Sequence, residues 1–270
     1  MIQLCTLEYL PIHDLTSAWN RCWQGYFHDL TYDIEHLNLW LNLGQVSLKN
    51  SISLLSNEQV AGFSLLAFNG HDGWIAGTAI DPDHRGKGLF KQMMTAQLAE
   101  AKRIRLKRVF LEVLSNNIIA IQSYKDLGFK YLRVLNSYRV EPFENQRESY
   151  RRGRHLFEVQ LEDYFNHREI NGFNPSWQRR EHYLKRYLRL KAFINSSGTS
   201  GFLLTGELSP KLLDIWTSMP HEVAGLIYYL FQYSESFNLI NQPRDWLSAY
   251  LASKISPEST KLEMCYDIPI

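Results

Sequence analysis

The sequence predicts an α/β protein, an α+β mixed sheet flanked by helices, with a second, smaller domain built on related lines. Three observations carry this. Between residues 51 and 80, runs of β-branched and aromatic residues alternate with Asn-, Gly- and Asp-rich turns, which reads as an antiparallel meander. After residue 80 the pattern becomes strand, glycine-rich turn, helix, strand, helix. Beyond a polar, charged stretch at 141–154 the element order partly recurs. The chain has 270 residues, 45% hydrophobic and 21% charged, so one large or two small packed domains are expected.

The elements follow in order. Trp19, Trp23 and Tyr26 recur at helical spacing, with Phe27 alongside, and predict an amphipathic helix over 15–28. A second helix is expected over 33–43, with Asp33 as N-cap and Gly44 as its stop. Strands are expected at 51–55, 60–68 and 73–80, the last two joined by a hairpin loop at 69–73. Leu89, Met93 and Ala96, beside Phe90, Met94, Leu98 and Ala101, form one face of the next helix. Lys102, Arg103 and Arg105 sit where a helix C-terminus favours positive charge. A strand at 108–114 and a helix at 118–127, ended by Gly128, come next. Two strands, 131–135 and 137–140, complete a first domain over 1–145, and 141–154 is the expected linker. In the second domain, 155–270, strands are expected at 157–161, 201–205, 212–217, 237–240 and 261–268. Its helices are expected at 176–190, 221–233 and 244–253.

Charge and composition exclude several classes. Lys and Arg total 29 against 28 Asp and Glu, so a dedicated nucleic-acid surface is not expected. No apolar run reaches the roughly 18 residues of a membrane span, and the N-terminus lacks the pattern of a signal peptide. Cys5, Cys22 and Cys265 are widely spaced and odd in number, which suggests neither a disulfide framework nor a metal site and fits a reducing cytoplasm. The histidines lack metal-ligand spacing, so no metal is expected. The basic run at 178–191, interrupted by Glu181, reads as a solvated helix face.

The chemistry concentrates at residues 77–90, GTAIDPDHRGKGLF. Gly86 and Gly88 let the backbone approach a ligand closely, and the following helix start directs free N–H groups and positive dipole at the same place. This is an anion site suited to a diphosphate, with Arg85 and Lys87 as charge-assisted donors. A Walker A loop is excluded because no Ser or Thr follows a Gly-Lys at the required position. A dinucleotide fingerprint is excluded because its third glycine is replaced by Lys91.

A second motif follows at 111–129, LEVLSNNIIAIQSYKDLGF. Together the two segments resemble the GNAT (Gcn5-related N-acetyltransferase) superfamily over roughly residues 1–140. Its first signature is Arg or Gln, then Gly three residues on, then a small residue; here these are Arg85, Gly88 and Phe90, whose large ring departs from the pattern. Its second signature is matched by Glu112, Asn117, Ala120, Tyr124, Gly128 and Phe129.

The resemblance implies a GNAT fold that holds acetyl-CoA between two splayed parallel strands, here 74–80 and 108–114. It implies that the backbone of Arg85, Gly86, Lys87, Gly88, Leu89 and Phe90 receives the diphosphate. Backbone amides of Thr78, Ala79 and Ile80 would pair with the pantetheine and polarise the thioester, and Asn117 would bond the cofactor edge. Tyr124 matches the family's general acid; Glu112 matches a base used by some members. The implied reaction is direct acetyl transfer to a primary amine in a ternary complex. Alternatives are a non-catalytic acyl-CoA sensor or scaffold, a longer acyl donor, or a protein N-terminus as acceptor. Trp19, Trp23, Tyr26 and Phe27, with His28, Asp29 and Tyr32 nearby, are candidates for the acceptor side, most of the aromatic stripe being expected as core. The second half resembles a degenerate copy of the same fold. Its loop Ser218-Met219-Pro220-His221-Glu222 lacks glycine and carries a carboxylate, so no second cofactor site is expected; it would shape the acceptor channel or mediate homodimer contacts.

Overall fold

The computed structural model describes residues 2–142, 156–206 and 208–269. Most of the expected linker, residues 143–155, therefore lies outside the described residues. Two compact units form, one from the start of the chain to Leu132 together with Glu263 onward, the other Arg133–Leu262. The sequence places a division at 145–155. The units instead part within a strand, Lys130–Val140, and the chain's last residues join the first unit.

In the first unit, β1 (Ile2–Thr6), β2 (Ile52–Ser56), β3 (Gln59–Asn69) and β4 (Asp72–Ile80) pair antiparallel in that order. β5 (Arg108–Leu114) then joins β4 in parallel, so the sheet is mixed. The β3–β4 hairpin closes over Gly70 and His71, as the Asn-Gly-His-Asp run implies. β1 was not expected; it is a short, mostly exposed edge strand that offers little hydrophobic signal.

Helices α1 (Ile12–Cys22) and α2 (Ile34–Gly44) cover one face. They set Leu15, Trp19, Leu37 and Leu41 against Phe63, Leu65 and Ala79. Asp33 caps α2 by accepting from the His36 amide at 2.8 Å. The left-handed stop is Gln45 (φ 52°) rather than Gly44, which is still helical. α1 is shorter than its aromatic periodicity suggests, because Gly25 turns left-handed (φ 73°) and releases Trp23 to Phe27 from the helix. α3 (Leu89–Arg103) covers the other face through Leu89 and Met93 on Ile52, Leu54 and Ile80. α4 (Ile118–Asp126) follows β5 and ends before Gly128 (φ 96°), the expected glycine terminus.

In the chain's next segment a single strand, β6 (Lys130–Val140), replaces the two short strands expected there. In the second unit its later residues pair antiparallel with β11 (Phe237–Pro243). A separate four-stranded antiparallel sheet is formed by β7 (Leu156–Val159), β8 (Leu190–Asn195), β9 (Ser200–Thr205) and β10 (Leu212–Thr217). Helices α5 (Leu161–Ile170), α6 (Glu181–Leu184), α7 (Val223–Leu230) and α8 (Trp246–Ala252) and the strand β12 (Ser259–Asp267) complete the chain.

The expected basic helix over 176–190 does not form. A 3-10 turn (Trp177–Arg179) and the one-turn α6 take its place. The cause is a buried carboxylate. Asp214 on β10 is fully buried and receives Arg179 at 2.5 Å, Arg168 at 2.6 Å and the Tyr164 hydroxyl at 2.9 Å. A regular helix that solvated its basic face would leave Asp214 without the Arg179 charge that it requires. The reading as a solvated face thus fails for Arg179, while Lys185, Arg186 and Arg189 remain exposed. Among the described residues, no helix is long and apolar enough to cross a membrane, and no cluster of His, Cys, Asp and Glu is arranged to hold a metal ion.

Candidate active site

The site begins where two strands stop pairing. β4 and β5 are in register only from Asp72–Arg108 to Trp74–Phe110. Beyond that rung Ile75 to Ile80 continue along β3 alone, and a bulge opposite Leu65 and Leu66 leaves Ala76 as the extra residue. A bulge bends and twists its strand, which here steers β4 away from β5. The wedge has one open backbone edge on each side.

Strand alternation decides which amides face that wedge. The Asp81 amide donates to the Ala61 carbonyl at 2.9 Å, so position 81 turns toward β3. By the two-residue period of the antiparallel ladder, Ala79 turns the same way and is paired with Phe63. Thr78 and Ile80 turn their amides outward. Of the three expected amides, therefore, Thr78 and Ile80 are offered to the wedge and Ala79 is used within the sheet.

The end of β4 leads through a 3-10 turn (Pro82–His84) into the glycine loop. Gly86 and Gly88 both adopt left-handed backbone (φ 72° and 73°), and a Cβ at either would meet nothing within 4 Å. The loop is therefore built on conformation rather than on close packing, and its outer side is open. Gly88 is the N-cap of α3 and supplies no side chain, so the amides of Leu89, Phe90 and Lys91 have no helical acceptor. These open, converging donors at the positive end of a 15-residue helix fit a diphosphate.

The two basic side chains of the loop are used differently from the sequence reading. Arg85, though exposed, donates to the carbonyls of Ile80 (2.9 Å), Cys22 (2.9 Å) and Gln24 (3.1 Å). Lys87 donates to the Asp83 carbonyl at 2.8 Å. Both side chains are thus engaged by backbone carbonyls. The ring of Phe90 stands edge-on to Tyr124 with centroids 5.4 Å apart.

Tyr124 is buried on α4, between the rings of Phe90 and Phe129. Its hydroxyl is in hydrogen-bond contact with the Thr78 side chain, which ties α4 to the outward-turned part of β4. Burial raises its pKa well above the usual phenol value, and the nearby Tyr26 phenol raises it further. Tyr124 thus carries its proton throughout the neutral range. Asn117 caps α4, its Oδ1 accepting from the Ala120 amide at 3.1 Å; its carbonyl end is committed and its amide end remains for a ligand.

Glu112 lies on the other face of the sheet. Its Oε2 accepts the indole N–H of Trp74 at 2.7 Å, and Trp74 packs beside Gly44 at the end of α2. Thr78, by contrast, reaches Met94 on α3. Glu112 and Tyr124 therefore flank the wedge from opposite faces, one on the α1–α2 side and one on the α3 side. Trp19, Trp40, Tyr32 and Phe63 are mutually packed on the Glu112 face, with Trp19 stacked on both Tyr32 and Phe63. Of the expected stripe only Trp19 is buried core; Trp23 and Tyr26 are half-buried and Phe27 is 51% exposed, so the expectation that most of it is core fails, because the chain leaves the helix after Cys22. The bond of Trp74 to Glu112 escaped the sequence reading: it joins residues far apart in the chain, and no local spacing signals it.

Comparison with known proteins agrees with this geometry. The family described as Acetyltransferase (GNAT) family matches residues 12–129. Spermine/spermidine N(1)-acetyltransferase of Bacillus subtilis (strain 168) is 37% identical over 59 residues, 22% of this chain and 39% of that protein. The chain thus spans well under half the length of that relative. The [Ribosomal protein bS18]-alanine N-acetyltransferase of Salmonella typhimurium is 23% identical over 133 residues, 49% of this chain and 86% of that protein. A GCN5-related N-acetyltransferase from Sphaerobacter thermophilus has a similar fold: TM-score 0.68 at 11% identity, covering 100% of this chain and 96% of that one. Another from Anabaena variabilis gives 0.64 at 15% identity, covering 100% and 73%. At such identities the likeness is one of fold.

Proposed function

Because residues 12–129 belong to the acetyltransferase (GNAT) family, we propose that this chain is an N-acetyltransferase that uses acetyl-CoA and a primary amine. The observation that carries the reading is the parting of β4 from β5 after Trp74–Phe110, with the amide-lined glycine loop at its open end. The coenzyme supplies an acetyl thioester.

This chain's own residues then have distinct tasks. The amides of Gly86 to Phe90 hold the diphosphate. The outward amides of Thr78 and Ile80 bind along the pantetheine arm and favour negative charge on a carbonyl oxygen placed against them. Asn117 orients the arm through its remaining amide. Glu112, from the α1–α2 face, accepts a proton from the incoming ammonium, directly or through water, so that a neutral amine attacks. Tyr124, from the α3 face, gives its proton to the departing thiolate; its raised pKa keeps that proton in place until then.

The spermine and ribosomal-alanine names of the relatives suggest two acceptor classes, small polyamines and protein N-termini. The second unit is read as a diverged copy. Where a glycine loop would lie, Glu222 is buried and accepts from Asn195 (3.0 Å), Thr199 (2.9 Å) and Ser200. An internal carboxylate thus occupies the start of α7.

The test is calorimetry with acetyl-CoA, followed by thiol release over a panel of polyamines, small monoamines and N-terminal peptides. Acceptor-dependent release supports the enzyme. Binding with no release across the panel supports an acyl-CoA sensor instead, and absence of binding removes both readings.

A further inference from the structure

Arg85 stands at the first position of the glycine-loop motif, yet its guanidinium is engaged by backbone carbonyls. It bridges three carbonyls: Ile80 at the end of β4, and Cys22 and Gln24 at the end of α1. A second arginine runs the other way. Arg21, in the last turn of α1, reaches Asp81 at 2.5 Å and also donates to the Val60 carbonyl. The end of α1 and the start of the loop are therefore crossed by two charge-assisted clasps.

What leaves that clasp matters. Residues 23–27 are released from α1 and make aromatic contacts: Trp23 meets Trp19 and Tyr26, and Tyr26 meets Phe27. One path of direct contacts thus runs from the glycine loop through Arg85 to Gln24, and along two residues of chain to Tyr26, whose phenol adds an electrostatic effect at Tyr124.

We infer that Arg85 is a positioning residue that couples occupancy of the glycine loop to the placement of residues 23–28. This rests on the reading of the loop as a coenzyme diphosphate site. Ligand held by the amides of Gly86 to Phe90 restrains the adjoining backbone at Arg85; the planar fork transmits that restraint to two carbonyls of the 22–24 turn. Two sites coupled in this way bias one another reciprocally.

Amide hydrogen exchange with coenzyme A as the probe tests this without knowledge of the acceptor. In the unaltered protein, coenzyme A is expected to slow exchange by at least about fivefold in peptides covering both 86–91 and 23–28. In Arg85→Ala the slowing at 86–91 should persist while that at 23–28 disappears. Arg85→Gln, which keeps two donors but loses the fork, serves if Arg85→Ala does not fold, and should retain less than half of the effect at 23–28. Slowing at 23–28 that survives in the folded variant overturns the inference, as does slowing confined to 86–91 in the unaltered protein. No slowing at 86–91 in the unaltered protein overturns the coenzyme reading itself, and the inference with it.

Discussion

Trp74 on β4 donates its indole N–H to Glu112 on β5 at 2.7 Å, one alternation beyond the last rung at which the two strands are paired. The bond fixes the carboxylate at the mouth of the wedge. Glu112→Gln is expected to lower kcat/KM about a hundredfold at pH 7, with recovery as pH rises and more acceptor is deprotonated. Steady-state pH–rate profiles of the two proteins check this; a Glu112→Gln enzyme of unchanged rate assigns the proton transfer elsewhere.

In the proposed mechanism Tyr124 acts through a proton that burial makes it hold strongly. Tyr124→Phe keeps the ring contacts with Phe90 and Phe129 and removes only the hydroxyl. Turnover should fall about a hundredfold, the scale of a lost general acid. Affinity for acetyl-CoA, measured by calorimetry, should stay within about threefold. Loss of affinity with preserved turnover would make the hydroxyl a binding group.

The glycine loop separates conformation from contact. Gly88→Ala forces an L residue into left-handed backbone at φ 73° and should cost about 1–2 kcal/mol in urea unfolding. Gly70→Ala, in the β3–β4 turn at φ 59° and equally open, should cost a similar amount. Only Gly88→Ala puts a methyl group on the side offered to the diphosphate, so only it should weaken acetyl-CoA at least about tenfold. Equal affinities in the two variants would place the coenzyme elsewhere.

These residues were legible because their chemistry fixes both residue type and spacing. Asp33 was expected as a helix cap and Gly128 as a helix stop, and both do that work, while the stop expected of Gly44 passes to Gln45; Gly86 and Gly88, read for close backbone approach, form left-handed turns, and Asn117, read as a cofactor contact, caps α4. The side-chain directions were not legible. Arg85 looks like an anion ligand in sequence, and only the fold brings the Cys22 and Gln24 carbonyls to its guanidinium. The helix expected at 176–190 failed for the same kind of reason: Asp214, far along the chain, draws Arg179 inward. Local periodicity cannot register a partner that arrives from a distant strand. α5 went unread because its apolar positions do not form a regular stripe.

Cys22 gives a pH dependence of defined sign. Its thiol is buried at the end of α1, and burial is the main cause that pushes its pKa from 9.0 up to about 12. The native state keeps this proton where the unfolded chain has released it. The contribution to stability is therefore complete below pH 9 and is lost as pH rises toward 12. Cys22→Ala should be less stable at pH 7 through lost packing, yet its stability should fall less steeply between pH 9 and 11. Urea unfolding at several pH values measures the two slopes; identical slopes would mean that the thiol ionises freely in the native protein.

Asp214 poses the most severe stability test, and it lies in the second unit. One carboxylate meets Arg168, Arg179 and the Tyr164 hydroxyl, all buried. The two guanidinium groups hold its pKa below the usual carboxylate range against a strong opposing effect of burial. Asp214→Asn leaves both arginines buried without their counter-charge, a loss of about 3–5 kcal/mol by analogy with other broken buried pairs. The sign with pH follows from the lowered pKa: the stabilisation is present above the ordinary carboxylate value and is lost as pH falls below it. Asp214→Asn should accordingly be much less stable than the unaltered protein at pH 7, with the gap narrowing in acid. Since acetyl-CoA is assigned to the first unit, exchange protection of residues 86–91 by the coenzyme should persist in this variant at low temperature. Its disappearance there would mean that the coenzyme loop depends on the integrity of the second unit.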